Sequence, residues 1–394
     1  MTRAILALLL ILGQLPLAAS PRRAAVQPPP PEVMPAARPD VIFLEPDLDG
    51  ITPQSNAEST AFIGQIGFNG ELIGLPAVHA LGYDGTGSTV AVLGTGVSPH
   101  PDLKGRIIEE RCYCSYVNGK GCCLNGATEQ SGSGSAPDFL PHETSVAGVI
   151  AGSGALAPRG IAPGANIIAI RLSDGTPNVD WIAQLILALN WIAATPLRVD
   201  AVNMSFNVGF LSSGPCDADN PALTDAVARV RARGTVLVAA SGNDAWPKGM
   251  RPPACLSKVV AVGAVYHRNL ESASLLGCTD TPAEIDRVTC FSNSSYELDL
   301  LAPGYGVRTP YKGGVANVSG TSFSAPHVAG AVAVLRQIDP QLTPDAIEQL
   351  LESTGRPIVD SRNGIVTPRL DLFAAVMKLR QDKTPSVRRR SVRH

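Results

Sequence analysis

A serine that opens an apolar helical pattern, a histidine at the head of another and an asparagine at the end of an apolar strand could share one reaction. Ser322 stands in Ser319-Gly320-Thr321-Ser322-Phe323-Ser324-Ala325-Pro326-His327-Val328-Ala329-Gly330. There a Gly-Thr-Ser turn runs into apolar positions Ala325, Val328, Ala329, Val332, Ala333 and Leu335, spaced by three and four. Its hydroxyl is thereby placed at a helix N-terminus, where unpaired N–H groups and the positive end of the helix dipole favour negative charge. An acyl-transfer nucleophile suits that position, because the oxyanion it generates forms beside those donors. A lone serine there usually does no more than cap the helix, so the rest of the chain must supply its partners.

A serine nucleophile needs a base, and histidine fits near neutral pH. The chain has 6 histidines. His79, His100 and His267 lie in segments without a companion motif, and His394 ends the chain. His327 follows Ser322 by five residues on the same helix and points elsewhere, as a packed histidine. His142 heads the helical run His142-Glu143-Thr144-Ser145-Val146-Ala147-Gly148-Val149-Ile150-Ala151 and is the candidate base. Asn243, in Ala239-Ala240-Ser241-Gly242-Asn243-Asp244, can offer a side-chain N–H to a developing oxyanion. The plainer reading of Asn243 is a turn residue.

The elements that must hold these residues alternate in the manner of an α/β fold. Thr89-Val90-Ala91-Val92-Leu93 is apolar on both faces, as a buried parallel strand is, and ends in Gly94-Thr95-Gly96. A polar loop with four cysteines is expected from Pro99 to His142. Further strands are expected at 167–172, 201–205, 236–240, 259–265 and 298–301. Helices are expected at 146–151, 181–193 and 223–231, from Ser322 onward, and at 343–353 and 370–379. In an open parallel sheet ligands bind beyond the carboxyl ends of the strands, so Gly94, Ser205, Asn243 and Ser322 should meet there.

Composition bounds the rest. The chain has 394 residues, 45% hydrophobic and 17% charged, which is enough for a sizeable core. A net charge of −2 gives no field to hold nucleic acid or an anionic membrane. Arg3, the apolar run Ala4 to Leu12 and Ala18-Ala19-Ser20 read as a secretory signal peptide over 1–20, too short to span a bilayer. Residues 21–60 are proline-rich and read as a leader with no core of its own, 61–380 as the folded domain, and 381–394 as a basic, solvated tail. Eight cysteines suit an oxidising compartment. Cys278 with Cys290 and Cys216 with Cys255 are expected disulfides. Cys112, Cys114, Cys122 and Cys123 staple the loop before His142 in an open pairing, with a zinc cluster as the rival.

Four segments in order resemble the subtilisin-like serine proteases: Thr89 to Leu103, Val202-Asn203-Met204-Ser205, Ala239 to Asp244, and Ser319 to Gly330; the order of acid position, His142, Asn243 and Ser322 also matches. The resemblance implies a subtilisin-like three-layer α/β fold with a mainly parallel central sheet. It implies Ser322 as nucleophile, His142 as base and Asn243 with the Ser322 N–H as oxyanion donors. Ser205, Phe206, Asn207 and Gly242 would line the peptide site. Departures accompany the matches. Where the family carries its aspartate this chain has Gly94, so the acid position is empty. Where the family has His-Gly-Thr-His, the chain has His142-Glu143-Thr144-Ser145. Neighbours on a helix do not face each other, so Glu143 is not expected to replace the acid. Asp102 is expected to serve a turn. Phe206-Asn207 is expected to narrow the room for a substrate backbone. The implied protein is a secreted or periplasmic serine endopeptidase of reduced activity, monomeric, acting on peptides or proteins without a cofactor, structural calcium being left open. The alternative is an inactive pseudoprotease that binds peptides. Gly94→Asp is expected to raise hydrolysis.

Overall fold

The computed structural model describes residues 67–383. The expected signal peptide, the leader and the tail beyond Lys383 lie outside the described residues. In chain order the helices are α1 (Phe68–Leu72), α2 (Leu75–Ala80), α3 (His142–Ala151), α4 (Trp181–Ala194), α5 (Pro221–Ala232), α6 (Thr321–Ile338), α7 (Pro344–Thr354) and α8 (Leu372–Lys383). The strands are β1 (Thr89–Gly94), β2 (Ile107–Tyr113), β3 (Glu129–Ser131), β4 (Asn166–Arg171), β5 (Ala201–Met204), β6 (Val236–Ala240) and β7 (Val260–Val265). They continue as β8 (Ala273–Leu275), β9 (Cys278–Asp280), β10 (Leu300–Pro303), β11 (Val307–Tyr311), β12 (Gly314–Val318), β13 (Arg356–Val359) and β14 (Val366–Arg369).

One ten-stranded sheet runs β13-β14-β10-β7-β6-β5-β1-β4-β2-β3. Its pairs are parallel from β14 to β2 and antiparallel at each end, where β13 and β3 join. The central strands are buried throughout because both faces are covered. Val90, Val92, Val238 and Val262 pack with Val328, Ala329 and Val332 of α6 on one side. Ala91, Leu93, Val202, Leu237 and Ala239 pack with Leu185 of α4 and Val227 of α5 on the other. Alternate residues of one strand thus feed two cores, each fully buried Val or Leu contributing about 1.5–3 kcal/mol. This is the three-layer arrangement that the sequence resemblance implied.

The helices start where their residues can satisfy the first amides. Asp180, Asn220 and Thr343 accept from Ala183, Leu223 and Ala346 at the heads of α4, α5 and α7, and Pro221 and Pro344 need no amide partner of their own.

Two expectations need correction. The segment between Pro99 and His142 is no plain loop: it contains β2 and β3 at the sheet edge. Glu109, Glu110 and Arg111 of β2, the strand next to the short edge strand β3, are only partly buried, and their polar side chains hide the strand from a hydrophobicity pattern. Similarly, α3 begins at His142 itself, in line with His142 as the head of its helical run, and the narrower expected range 146–151 falls one turn short. The cysteines form four disulfides: Cys112–Cys123, Cys114–Cys122, Cys216–Cys255 and Cys278–Cys290. Among the described residues no cysteine is free, no His/Cys/Asp/Glu cluster has metal-ligand geometry and no helix is long and apolar enough to cross a membrane.

Candidate active site

The carboxyl ends of β1, β5 and β6 bring Gly94, Ser205 and Asn243 toward the head of α6. Thr321 is the first residue of that helix, and Gly320 precedes it at φ 137°, a conformation that favours glycine. The Ser322 hydroxyl donates to the Ser205 carbonyl at 3.0 Å, and the Ser205 hydroxyl donates to the Ser322 carbonyl at 2.6 Å. The second bond has a covalent origin. Pro326 has no N–H to give to the carbonyl four residues back, so Ser322 O would be left unpaired inside the helix. Ser205 satisfies it, and is itself held by Asn203 Nδ2 at 2.9 Å.

Asn243 has its orientation fixed by Thr321. The Thr321 backbone N–H, which can only donate, lies 2.8 Å from Asn243 Oδ1, and the Thr321 hydroxyl donates to the same oxygen at 2.9 Å. The oxygen is therefore committed, and the amide nitrogen is the end turned toward Gly320, 3.4 Å from where a Cβ there would stand. Thr321 Oγ1 also accepts from Gly242 N at 3.1 Å, tying the end of β6 to the helix.

His142 opens α3, and its ring lies against Phe323 with centroids 5.5 Å apart, so the heads of α3 and α6 meet. Its Nδ1 lies 2.8 Å from Glu143 Oε1. This overturns the expectation that adjacent helix residues stay apart. That rule concerns faces of the helix, whereas Glu143 has a long arm and the imidazole Nδ1 lies close to its own backbone. The other oxygen, Oε2, accepts from the Thr95 amide at 2.9 Å and also from the Thr95 hydroxyl. The carboxylate, fully buried, fills the space beside Gly94: a Cβ built there would lie 2.1 Å from Oε1 and 2.3 Å from Cδ. The space at Gly94 is therefore occupied, not empty as the sequence suggested.

A second carboxylate lies behind the first. Asp138 accepts from the Thr95 hydroxyl at 2.8 Å and from Thr144 N and Oγ1, each at 2.8 Å. Thr95 has one hydroxyl proton facing two carboxylates. Burial, and then the charge of Glu143, push Asp138 up to about 6, against the hydrogen bonds from Thr144 and Thr95. For His142, burial acts downward, but the charge and hydrogen bond of Glu143 and the charge of Asp138 outweigh it and raise the ring above its usual 6.5.

The remaining expected residues fall in two groups. Gly242 sits beside the site at φ 109°, where a Cβ would meet Asn293 Nδ2 at 2.4 Å. Phe206 is turned inward onto Trp181, centroids 5.1 Å apart, and the Asn207 amide donates to Ala240 O at 2.8 Å, so both side chains point into the protein. Asp102 serves structure: its carboxylate accepts from the amides of Ala155, Leu156 and Ala157. His327 is packed, with Nδ1 donating to Phe323 O at 2.7 Å and Nε2 accepting from Asn69 at 2.9 Å; burial lowers it to about 4. Ser145 is committed elsewhere, its hydroxyl lying 2.6 Å from Pro310 O and fixing α3 to β11. Sequence reasoning missed Thr95, Asp138, Asn293 and Thr321. Of these, only Thr95 and Thr321 lay inside motifs already singled out.

Residues 85–371 match the sequence pattern of the subtilase family. The chain belongs to that family. Subtilisin BL of Lederbergia lenta is 32% identical over 283 residues, spanning 71% of this subtilase and 87% of that protein. An alkaline protease of Alkalihalobacillus alcalophilus is 31% identical over 319 residues, 80% of this subtilase and 70% of the relative. Among solved structures, a protease of Pseudoalteromonas arctica superposes with a TM-score of 0.62 at 26% identity, covering 80% of this chain and 95% of that one. A cold-adapted subtilisin-like serine proteinase gives 0.56 at 27% identity, covering 73% and 89%. Membership makes the subtilase a serine-type hydrolase of peptides or proteins by family.

Proposed function

We propose that this subtilase is an exported serine endopeptidase in which Ser322 is the nucleophile, His142 the base, and Asn243 with the Ser322 backbone N–H the oxyanion donors. Ser322 Oγ attacks the scissile carbonyl while His142 takes its proton and passes it to the leaving amine. Water then repeats the sequence on the acyl-enzyme, releasing the second product and restoring Ser322. Ser205 and Gly242 border the peptide. The observation that carries this reading is the Thr321–Asn243 lock, because it holds the amide nitrogen at the helix head where the oxyanion of Ser322 chemistry forms. Four disulfides, and relatives that include a minor extracellular protease of Bacillus subtilis, support export.

The test is digestion of an unfolded protein by the full chain. Internal cleavages by the natural chain, absent with Ser322→Ala, support the reading. Equal digestion by both overturns the assignment of Ser322 as nucleophile, and none by either while peptide is still bound favours a peptide-binding module.

A further inference from the structure

We infer that Glu143 is the positioning acid of this site: its carboxylate holds the His142 ring with the proton on Nδ1 and balances the imidazolium that forms, and Gly94 is the position that admits it. The inference rests on the reading of His142 as the base for Ser322.

Its first support is the contact. Glu143 Oε1 lies 2.8 Å from His142 Nδ1. A carboxylate only accepts, so the neutral imidazole must carry its proton on Nδ1. Nε2 is then the basic atom of the ring, the one that can take a proton from a hydroxyl.

Anchorage is the second support. Glu143 is fully buried, and its Oε2 is gripped by both the amide and the hydroxyl of Thr95, the residue after Gly94. The His142 ring N–H and the Thr95 amide fix the group from two sides, and the Thr95 hydroxyl proton is shared between it and Asp138, so it is held against the ring by a donor outside its own helix.

Third is the reciprocal fit at the end of β1. Gly94 has φ 155°, and any Cβ there would lie 2.1 Å from Oε1, 2.3 Å from Cδ and 2.8 Å from Cγ of Glu143. A side chain at 94 and the carboxylate of 143 exclude each other. The other acids nearby are committed: Asp102 to the 155–157 amides, and Asp138 to Thr95, Leu140 and Thr144.

A purely structural role for Glu143 would be to anchor Thr95, and glutamine separates the two. In Glu143→Gln the side chain keeps its size, and its carbonyl oxygen can accept from the Thr95 amide. Its NH₂ would then face Nδ1 and donate to it, forcing the proton onto Nε2 and leaving no base. An acid-to-amide change of this kind in an analogous triad lowers kcat by about 10⁴ with the geometry intact. The full chain is therefore assayed as Glu143→Gln beside Ser322→Ala. The expected result is a loss of about 10³–10⁴ in kcat with KM within a few fold and an unchanged circular dichroism spectrum. The acid limb of any residual rate should also move to lower pH. In the natural chain, ¹⁵N-imidazole NMR of neutral His142 should show the proton on Nδ1, a result that does not depend on any variant folding. Hydrolysis by Glu143→Gln within threefold of the natural chain, or a neutral His142 protonated on Nε2, overturns the inference. If Ser322→Ala hydrolyses as the natural chain does, it is the nucleophile assignment that fails.

Discussion

A side chain on Gly94 and the carboxylate of Glu143 compete for one volume at the end of β1, with 2.1 Å between Glu143 Oε1 and a Cβ built at residue 94. Gly94→Asp, which the sequence alone recommended as a repair, is therefore expected to damage the site. It places a second carboxylate against Glu143 and forces a residue with a side chain to φ 155°. The conformational strain alone is on the order of 1–3 kcal/mol. Thermal unfolding and peptide kcat/KM check this: both should fall, and a rise in kcat/KM would contradict the arrangement.

The pH response follows from His142 and Asp138. His142 must be neutral to act, and it is raised above 6.5 by Glu143 and Asp138 against the effect of burial, so the acid limb of kcat/KM should have its midpoint above 6.5. Asp138→Asn removes one of those charges and should move the midpoint down. The buried Arg171 guanidinium, whose field also reaches Asp138, remains in both proteins. For stability the sign is opposite to that of an ordinary paired carboxylate. Asp138 titrates at about 6 when folded and near 3.8 otherwise, so the folded state keeps a proton that the unfolded chain releases. Its destabilising contribution grows as pH rises through that window and is complete above about 6, reaching at most about 3 kcal/mol. Denaturant titrations at pH 4 to 7 should show this slope in the natural chain and lose it in Asp138→Asn.

Asn243→Ala should lower kcat by about 10²–10³ with little change in KM, the loss seen when one oxyanion donor is removed. Asn243→Asp should be at least as poor, because it keeps the acceptor that Thr321 needs and discards the donor that the oxyanion needs. Steady-state kinetics decide between them: an Asp variant as active as the natural chain would show that the amide nitrogen does not act.

Ser205→Ala tests the reading of Pro326. Without the Ser205 hydroxyl, the Ser322 carbonyl loses the donor that replaces the missing Pro326 amide. A loss of about 1–3 kcal/mol is expected from leaving it unpaired. Equilibrium unfolding should recover most of that loss when Pro326→Ala is added, since the helix then supplies its own N–H. Strict additivity of the two changes would sink this explanation.

The disulfides should leave no reactive thiol in the native chain. Cysteines 216 and 255 are 39 residues apart in sequence, and 114 and 122 only 8 apart. The chain-entropy account gives about 4 kcal/mol for the first and about 2.5 kcal/mol for the second. Paired serine variants compared by unfolding should follow that order.

The sheet core was legible in the sequence because β1, β5, β6 and β7 are buried on both faces and read as continuous apolar runs. The placements of Ser322 and His142 at helix heads and of Asn243 just after β6 were legible because the first two open apolar helical patterns and the third follows an apolar strand. Strand β2, next to the short edge strand β3, was not, since a half-covered strand with Glu109, Glu110 and Arg111 has no apolar signature. Glu143 was seen and misjudged. A rule about helix faces predicts where Cβ atoms point, but not how far a flexible carboxylate reaches when the neighbouring strand ends in glycine. Thr95 and Asp138 were invisible as site residues, because their importance lies in distances of 2.8 to 2.9 Å to groups 43 to 48 positions away in sequence.

The central claim, that Ser322 is a nucleophile made reactive by His142, is tested most directly by labelling the full-length folded chain with a fluorophosphonate serine probe and locating the adduct by mass spectrometry. The account predicts one adduct, on Ser322, forming in the natural chain and lost in both Ser322→Ala and His142→Ala. An unlabelled natural chain, an adduct on another serine, or unchanged labelling of Ser322 in His142→Ala would contradict it.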